Sequence, residues 1–280
     1  MTSERLIFEA RRDAFLARLA AGRAIMGIVN VTPDSFSDGG LFLAREAALA
    51  QAKKLVADGA DIVDIGAEST RPGHVPVSTE EEWRRLEPLL ASLVNEAGAP
   101  VSIDTYKAET ARRALAAGVV MINDIWGLQR DPAMAEVVAE AQASIVIMHN
   151  REAAEDSIDI VDDMQRFFER SLEIARRAGV ADRLILLDPG VGFGKTRAQN
   201  YAALRAIPQL RRLGFPVLVG VSRKSIFRDL AGEQIDGRLI GTLAANIVAA
   251  GLGAQLFRVH DALEHKAAFA VLEALQFGEQ

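Results

Sequence analysis

The chain has 280 residues, half of them hydrophobic, carries a net charge of −6 and contains no cysteine. Disulfide frameworks and thiolate metal sites are therefore excluded, and general nucleic-acid binding, which relies on a positive surface, is disfavoured. No apolar run reaches the roughly 18 residues of a membrane span, and the charged opening MTSERLIFEARRDAF is patterned like an amphipathic helix, not a signal peptide; a cytoplasmic protein is expected.

In chain order, the residues before 25 are expected to form a helix. A short apolar run at 25–29 follows, ending on Asn30, then a Gly/Pro/Ser loop and helical periodicity over 44–57. The pattern recurs. Apolar runs at 62–65 and 101–103 lead to helical stretches at 80–94 and 108–116, and runs at 119–122 and 145–148 lead to one at 162–178. Three more runs lie at 184–187, 217–219 and 256–259. Buried strands separated by helices argue for parallel βαβ units. Eight such runs predict a single (β/α)8 TIM barrel with an extra N-terminal helix packed on it. One domain is expected over residues 1–280, with the barrel core at about 25–276, since no linker or composition break marks a second. An open doubly wound sheet is the alternative and usually uses fewer strands.

Barrel enzymes carry function on the loops at the C-terminal ends of the strands. The unusual polar residues collect there: Asn30, Asp64, Asp104, Asn123, His149, Asp188, the Ser222-Arg223-Lys224 run, and Arg258 with His260. The connections at the other end (58–60, 97–100, 117–118 and 214–216) hold small residues and prolines. One Asp at a strand end can merely cap the next helix, but polar residues at all eight strand ends imply an enzyme's mouth.

Several motifs are decoys. GVGFGKT at 190–196 invites a phosphate-loop reading, but G-x-x-x-x-G-K-[ST] needs one more residue before Gly-Lys-Thr, and Pro189 precedes it. It reads as a flexible loop after the sixth strand. The histidines His74, His149, His260 and His265 lack metal-site spacing, and no G-x-S-x-G elbow occurs. The segment 241–253 is apolar nearly all round, which points to burial in a homodimer or to an ordinary inner face.

The positive signals are longer: MGIVNVTPDSFSDGG at 26–40, DIGAESTRPG at 64–73, SIDTYK at 102–107, NDIWG at 123–127, DPGVGFGKT at 188–196, GVSRKS at 220–225 and RVHD at 258–261. This ordered series resembles the dihydropteroate synthases, a family of pterin-binding TIM barrels, from about residue 25 to the C-terminal helix. The resemblance implies condensation of 6-hydroxymethyl-7,8-dihydropterin pyrophosphate with p-aminobenzoate, giving dihydropteroate and pyrophosphate on the route to folate. It implies a dissociative displacement in which pyrophosphate departs before the amine attacks a pterin cation.

By that resemblance, Asp104, Asn123, Asp188 and Lys224 read the pterin, with Met148, Phe193 and Gly220 around it. Asp104, Lys224 and Asn30 are the catalytic candidates, and Asn30 matches the position that contacts Mg2+, the implied cofactor. Thr70, Arg71, Arg258 and His260 match anion-binding positions for the pyrophosphate. Phe36, Thr70, Arg71, Pro72 and Ser225 fall nearest the aminobenzoate, where sulfonamides are expected to compete. The small-molecule substrates and a homodimer are the expected partners, without nucleic acid or membrane. Two rivals use related residues. A methyltetrahydrofolate-binding methyltransferase domain shares the Asp/Asn/Asp logic but has no need of Lys224-Ser225 or of Arg258 and His260. A non-catalytic pterin-binding paralogue is expected to have lost parts of the first two loops, which are intact here. The sequence departs from the family over 150–163, where no role is carried over, and at Tyr106 and Trp126.

Overall fold

The computed structural model of the protein describes residues 3–31, 40–68, 76–231 and 235–277. Its first half runs α1 (Ser3–Ala20), β1 (Ala24–Asn30), α2 (Gly40–Ala57), β2 (Ile62–Gly66), α3 (Thr79–Glu96), β3 (Val101–Asp104), α4 (Ala108–Ala116) and β4 (Met121–Asp124). The second half runs α5 (Met134–Ala141), β5 (Ser144–Met148), α6 (Ile160–Ala178), β6 (Ile185–Asp188), α7 (Arg197–Arg205), α8 (Ile207–Arg211), β7 (Leu218–Val219), α9 (Arg228–Ala231), α10 (Ile235–Gly251), β8 (Leu256–Val259) and α11 (Ala262–Phe277). The eight strands are parallel and neighbour one another in the order β6-β5-β4-β3-β2-β1-β8-β7. A single bridge, Leu187 to Val217, with the Leu187 amide donating to the Pro216 carbonyl at 2.9 Å, joins β6 to β7 and closes the ring. The barrel expected from the eight apolar runs is present.

Strand side chains alternate between faces, and here the alternation sorts two cores. Val63, Ile65, Ile103, Ile122, Ile147, Leu187, Val219 and Phe257 face outward and pack under the helices. Met26, Ile62, Met121, Val146, Leu186, Leu218 and Leu256 face inward and fill the lower barrel. Phe15 and Leu19 of α1 join that inner cluster at 3% and 1% exposure, so the extra helix forms the barrel's floor. Burying each of these two side chains stabilises the fold by about 1.5–3 kcal/mol.

The strands match the apolar runs to within a residue or two, and the polar ends are where they differ most: β1 runs on to Asn30, β2 to Gly66 and β3 to Asp104. β4 starts at Met121 and continues through Asn123 to Asp124, and β6 starts at Ile185 and continues to Asp188. Apolarity marks where a strand is buried in hydrocarbon. The ladder itself continues into polar residues wherever the barrel lumen becomes a site. β7 shrinks to two residues, and Val217 before it makes only the seam bridge.

Candidate active site

Two residues beyond the inner apolar layer, side chains point into the lumen again. Asp64 follows Ile62, Asn123 follows Met121, Asp188 follows Leu186, Gly220 follows Leu218 and Arg258 follows Leu256, while Ser102 and Asp104 occupy the same parity on β3. The strand period therefore gathers three carboxylates, an amide and a guanidinium in one layer.

Arg258 organises that layer. Its Nε donates to Asp64 Oδ2 at 2.6 Å and its Nη2 to Asp104 Oδ2 at 2.9 Å. Asn123 Nδ2 donates to the same Asp64 oxygen at 3.2 Å. Asp188 Oδ1 accepts from the Gly190 amide at 2.7 Å. Among the described residues, Asp64 Oδ1, Asp104 Oδ1 and Asn123 Oδ1 are buried without a hydrogen-bond partner. Buried acceptors are normally satisfied, so this edge calls for a ligand rich in N–H donors. A side chain on Gly220 would start 3.8 Å from Asp188 Oδ2 and 3.9 Å from Arg258 Cβ, so the glycine keeps the lumen open between them.

Lys224 enters from the loop after β7, half-buried, with its ammonium on the Val191 carbonyl and 4.5 Å from the Phe193 ring centre. Burial, against the pull of Asp188, lowers it to about 8. Burial likewise pushes Asp104 up to about 7, with Asp64 and Glu82 adding to the rise and Arg258 opposing it. Asp188 is also raised by burial, against the Gly190 amide and Lys224. Burial weakens Arg258 as a cation, but Asp64 and Asp104 outweigh that and hold its proton more tightly than usual.

The other expected residues are distributed around this layer. Met148 is buried at the end of β5, paired in register with Asp188. Asn30 is exposed at the end of β1; its Oδ1 and Asp104 Oδ2 lie 3.9 and 4.0 Å from where a side chain on Gly66 would start. His260 is held at the rim by Ser222, whose Oγ lies 2.8 Å from Nδ1 and accepts from the His260 amide at 3.1 Å. Ser225 is exposed at the start of a short 3-10 turn. Phe36, Thr70, Arg71 and Pro72 lie outside the described residues. The chain leading to the last three is anchored: the Ala67 carbonyl accepts from Arg85 Nη1 at 2.9 Å, and the Glu68 carboxylate binds Lys107 and accepts from the Tyr106 hydroxyl at 3.0 Å. Tyr106, unusual by sequence, thus has a structural partner.

Three residues absent from the expected set belong to the site. Asp64 was visible as a strand-end carboxylate, and its parity with Arg258 is the signal that it faces the lumen. Ser222 orients His260, and no sequence pattern announces that. Lys195, within the decoy motif, donates through Nζ to the carbonyls of Gly190 at 2.8 Å, Phe193 at 3.1 Å and His149 at 3.3 Å. The Gly192 amide also donates to Asn200 Oδ1 at 2.6 Å. The 190–196 loop, expected to be flexible, is instead cross-linked by these bonds because its backbone carbonyls converge on one buried ammonium. The divergent stretch after His149 packs beside it. Asp163 Oδ2 lies 3.1 Å from His149 Nε2 and accepts from Arg151 Nη1 at 2.9 Å.

A divalent metal fits only in part. Among the described residues no three His, Asp or Glu side chains cluster as a metal cage. Asn30 nevertheless offers a hard oxygen at the open rim, which suits Mg2+ sharing substrate oxygens and keeping its waters. On the outside, Ile240 and Val248 of α10 and Val271 and Leu275 of α11 are 61–81% exposed. Among the described residues no helix is long and apolar enough to cross a membrane.

The profile of a family described as "pterin binding enzyme" matches residues 26–260. A dihydropteroate synthase of Clostridium beijerinckii is 44% identical over 245 residues, covering 87% of this chain and 91% of the relative. One from Bacillus subtilis is 45% identical over 237 residues, covering 85% and 83%. Among solved structures, a Clostridium difficile dihydropteroate synthase crystallised in the presence of pteroic acid superimposes with a TM-score of 0.87 at 44% identity, covering 92% of this chain and 98% of that one. A Xanthomonas albilineans dihydropteroate synthase with 4-aminobenzoic acid gives 0.86 at 44% identity, covering 91% and 94%.

Proposed function

The chain belongs to the pterin-binding enzyme family as a dihydropteroate synthase, a transferase of folate biosynthesis, and on that premise we propose how its residues divide the reaction. The carrying observation is the edge of buried, unpartnered acceptor oxygens at Asp104 and Asn123 beside Asp188. A pterin presents adjacent N–H donors, and an ionised carboxylate accepts two at once. Asp188 takes that role, Asn123 reads the mixed donor and acceptor edge, and Lys224 donates on the carbonyl side. Met148 and Phe193 bound the ring, and Gly220 leaves it room.

In the reaction the pterin methylene carbon loses its C–O bond to pyrophosphate and gains a C–N bond to p-aminobenzoate, and the amine releases a proton. Departure of pyrophosphate first leaves a pterin cation. The lumen layer opposes three carboxylates, Asp64, Asp104 and Asp188, with two cations, Arg258 and Lys224. It therefore favours positive charge on a bound ring. Asp104, which flanks Gly66 together with Asn30, stabilises the developing charge. The N–H groups of Arg258 not engaged by Asp64 and Asp104 are free to meet the leaving group, together with His260 at the rim and Thr70 and Arg71. Asn30 would hold Mg2+ against the pyrophosphate, where a bound ion would supply charge neutralisation for the leaving group. Phe36, Thr70, Pro72 and Ser225 take the aminobenzoate, and closure of the first two loops keeps water from the cation. Sulfonamides compete for that second site. The exposed apolar residues of α10 and α11 support a homodimer through this face, and the absence of cysteine accords with a cytoplasmic enzyme.

The test is pyrophosphate release by purified protein given pterin pyrophosphate and Mg2+, with and without p-aminobenzoate. Dihydropteroate formed in step with pyrophosphate is the expected result. Pterin binding without product would instead favour a silent pterin-binding relative.

A further inference from the structure

The sequence of the 190–196 loop has one cation that the reaction does not use. Lys195 is 8% exposed. Among the described residues, no carboxylate lies within ion-pair distance of it. Its ammonium instead faces three backbone carbonyls: Gly190 and Phe193 of its own loop, and His149 at the end of β5. Burial, against the pull of Asp188, lowers the group to about 7; the three acceptors match the three N–H donors of the ammonium, and a neutral amine, with only two, would leave one carbonyl unmet. The surroundings are built to that contact. Gly190 and Gly194 both adopt left-handed φ, +65° and +53°, and a side chain on either would start 1.8 Å from the His149 carbonyl oxygen or 2.2 Å from that of Arg151. The loop therefore lies directly on the β5 loop, backbone to backbone.

The opposite side of the same loop meets Lys224. The Val191 carbonyl accepts from the Lys224 ammonium, the Phe193 ring centre lies 4.5 Å from it, and a side chain on Gly192 would start 3.0 Å from its Cδ. Lys195 bonds to carbonyls on either side of Val191, one of them Phe193's own. We propose that Lys195 is a positioning residue for the pterin pocket: it clamps the 190–195 loop to the β5 loop and so sets where Lys224 presents its ammonium to the pterin. This rests on the reading above that Lys224 touches the pterin.

The measurement is pterin-pyrophosphate affinity by calorimetry for Lys195→Met, Lys224→Ala and the double variant, with thermal unfolding of each. Lys224→Ala alone should weaken binding about tenfold or more, as loss of a charge-assisted hydrogen bond does. Lys195→Met should weaken it by roughly the factor expected when a supporting contact is lost, about tenfold. In the Lys224→Ala background the same substitution should change affinity less than twofold, because its target is gone. Lys195→Arg keeps the charge but its planar fork does not match three converging carbonyls. It should reproduce the loss and the coupling, and it decides the matter if Lys195→Met does not fold. Losses that multiply in the double variant, or wild-type affinity in a folded Lys195 variant, would overturn the inference while leaving the function intact. Wild-type affinity in Lys224→Ala would overturn the reading beneath it and the inference together.

Discussion

Arg258 neutralises two buried carboxylates with one guanidinium, and Asp64 is the member of that set without a proposed contact to substrate. Replacing it tests whether the layer is held together as a unit. Asp64→Ala leaves Arg258 Nε and Asn123 Nδ2 without their acceptor; breaking a buried pair costs about 3–5 kcal/mol, readable by urea unfolding. A loss below 1 kcal/mol would mean that Asp104 alone suffices to hold Arg258. The ionisable groups also set a pH window. Asp104, pushed up to about 7, must lose its proton to stabilise positive charge, and Lys224, lowered to about 8, must keep its own. The free-enzyme kcat/KM should therefore rise through about 7 and fall through about 8, a narrow bell. Lys224→Arg should move the alkaline limb upward and leave the acidic limb where it is. An alkaline limb unmoved by that change would assign it elsewhere.

At the scale of elements, the β6–α7 loop and the end of α6 offer a controlled comparison between two glycines with left-handed backbone. Gly179 caps α6 at φ +87°, and a side chain there would meet nothing within 4 Å. Gly179→Ala should cost only the left-handed penalty, about 1–2 kcal/mol. Gly190→Ala adds a collision with the His149 carbonyl, so overpacking of roughly 1–3 kcal/mol should come on top, along with weakened pterin binding. Equal losses at the two positions would show that the loop yields freely. The same elements show what the sequence discloses. Short continuous hydrophobic runs announced every strand, because strands between helices must be apolar on both faces. They stopped short at Asn30, Asp104, Asn123 and Asp188, because the inward face there is a site, and a polar residue inside a ladder looks like a loop. The pterin candidates were legible as polar strand ends. Ser222 was legible as a strand end but not as the partner of His260, 38 residues away, and Lys195 was not legible at all, since its partners are backbone carbonyls that carry no sequence signature. The GFGKT string even pointed toward the wrong chemistry.

For the whole molecule, α1 closes the end of the barrel opposite the site. Phe15→Ala should therefore cost about 3–5 kcal/mol without changing kcat/KM measured well below the unfolding temperature. A loss of kcat/KM in protein that remains folded would mean that the floor shapes the site. Acid stability belongs to this scale too. His149 is fully buried, and burial, aided by Lys195 and opposed by Asp163, lowers it to about 3. The fold therefore favours the neutral ring. Its contribution is complete above the unfolded value of about 6.5 and is lost as pH falls toward the folded value. Between those limits, stability should decline with a slope from this residue of up to about 1.4 kcal/mol per pH unit. His149→Gln should flatten the urea-unfolding profile between pH 6 and about 4, and an unchanged slope would assign the acid sensitivity to carboxylates instead.

The ring of strands also has an uneven joint. Seven of its contacts are ladders, while β6 and β7 meet at one bridge beside Pro216, which has no amide to donate. A hoop under tension parts at its joint, and this one sits directly below Asp188 and Gly220. Native-state hydrogen exchange should release the Leu187 amide before those of β1 and β2. A circular permutant opened between Gly214 and Phe215 would start its chain at the hoop's own weak point, keeping every long ladder whole.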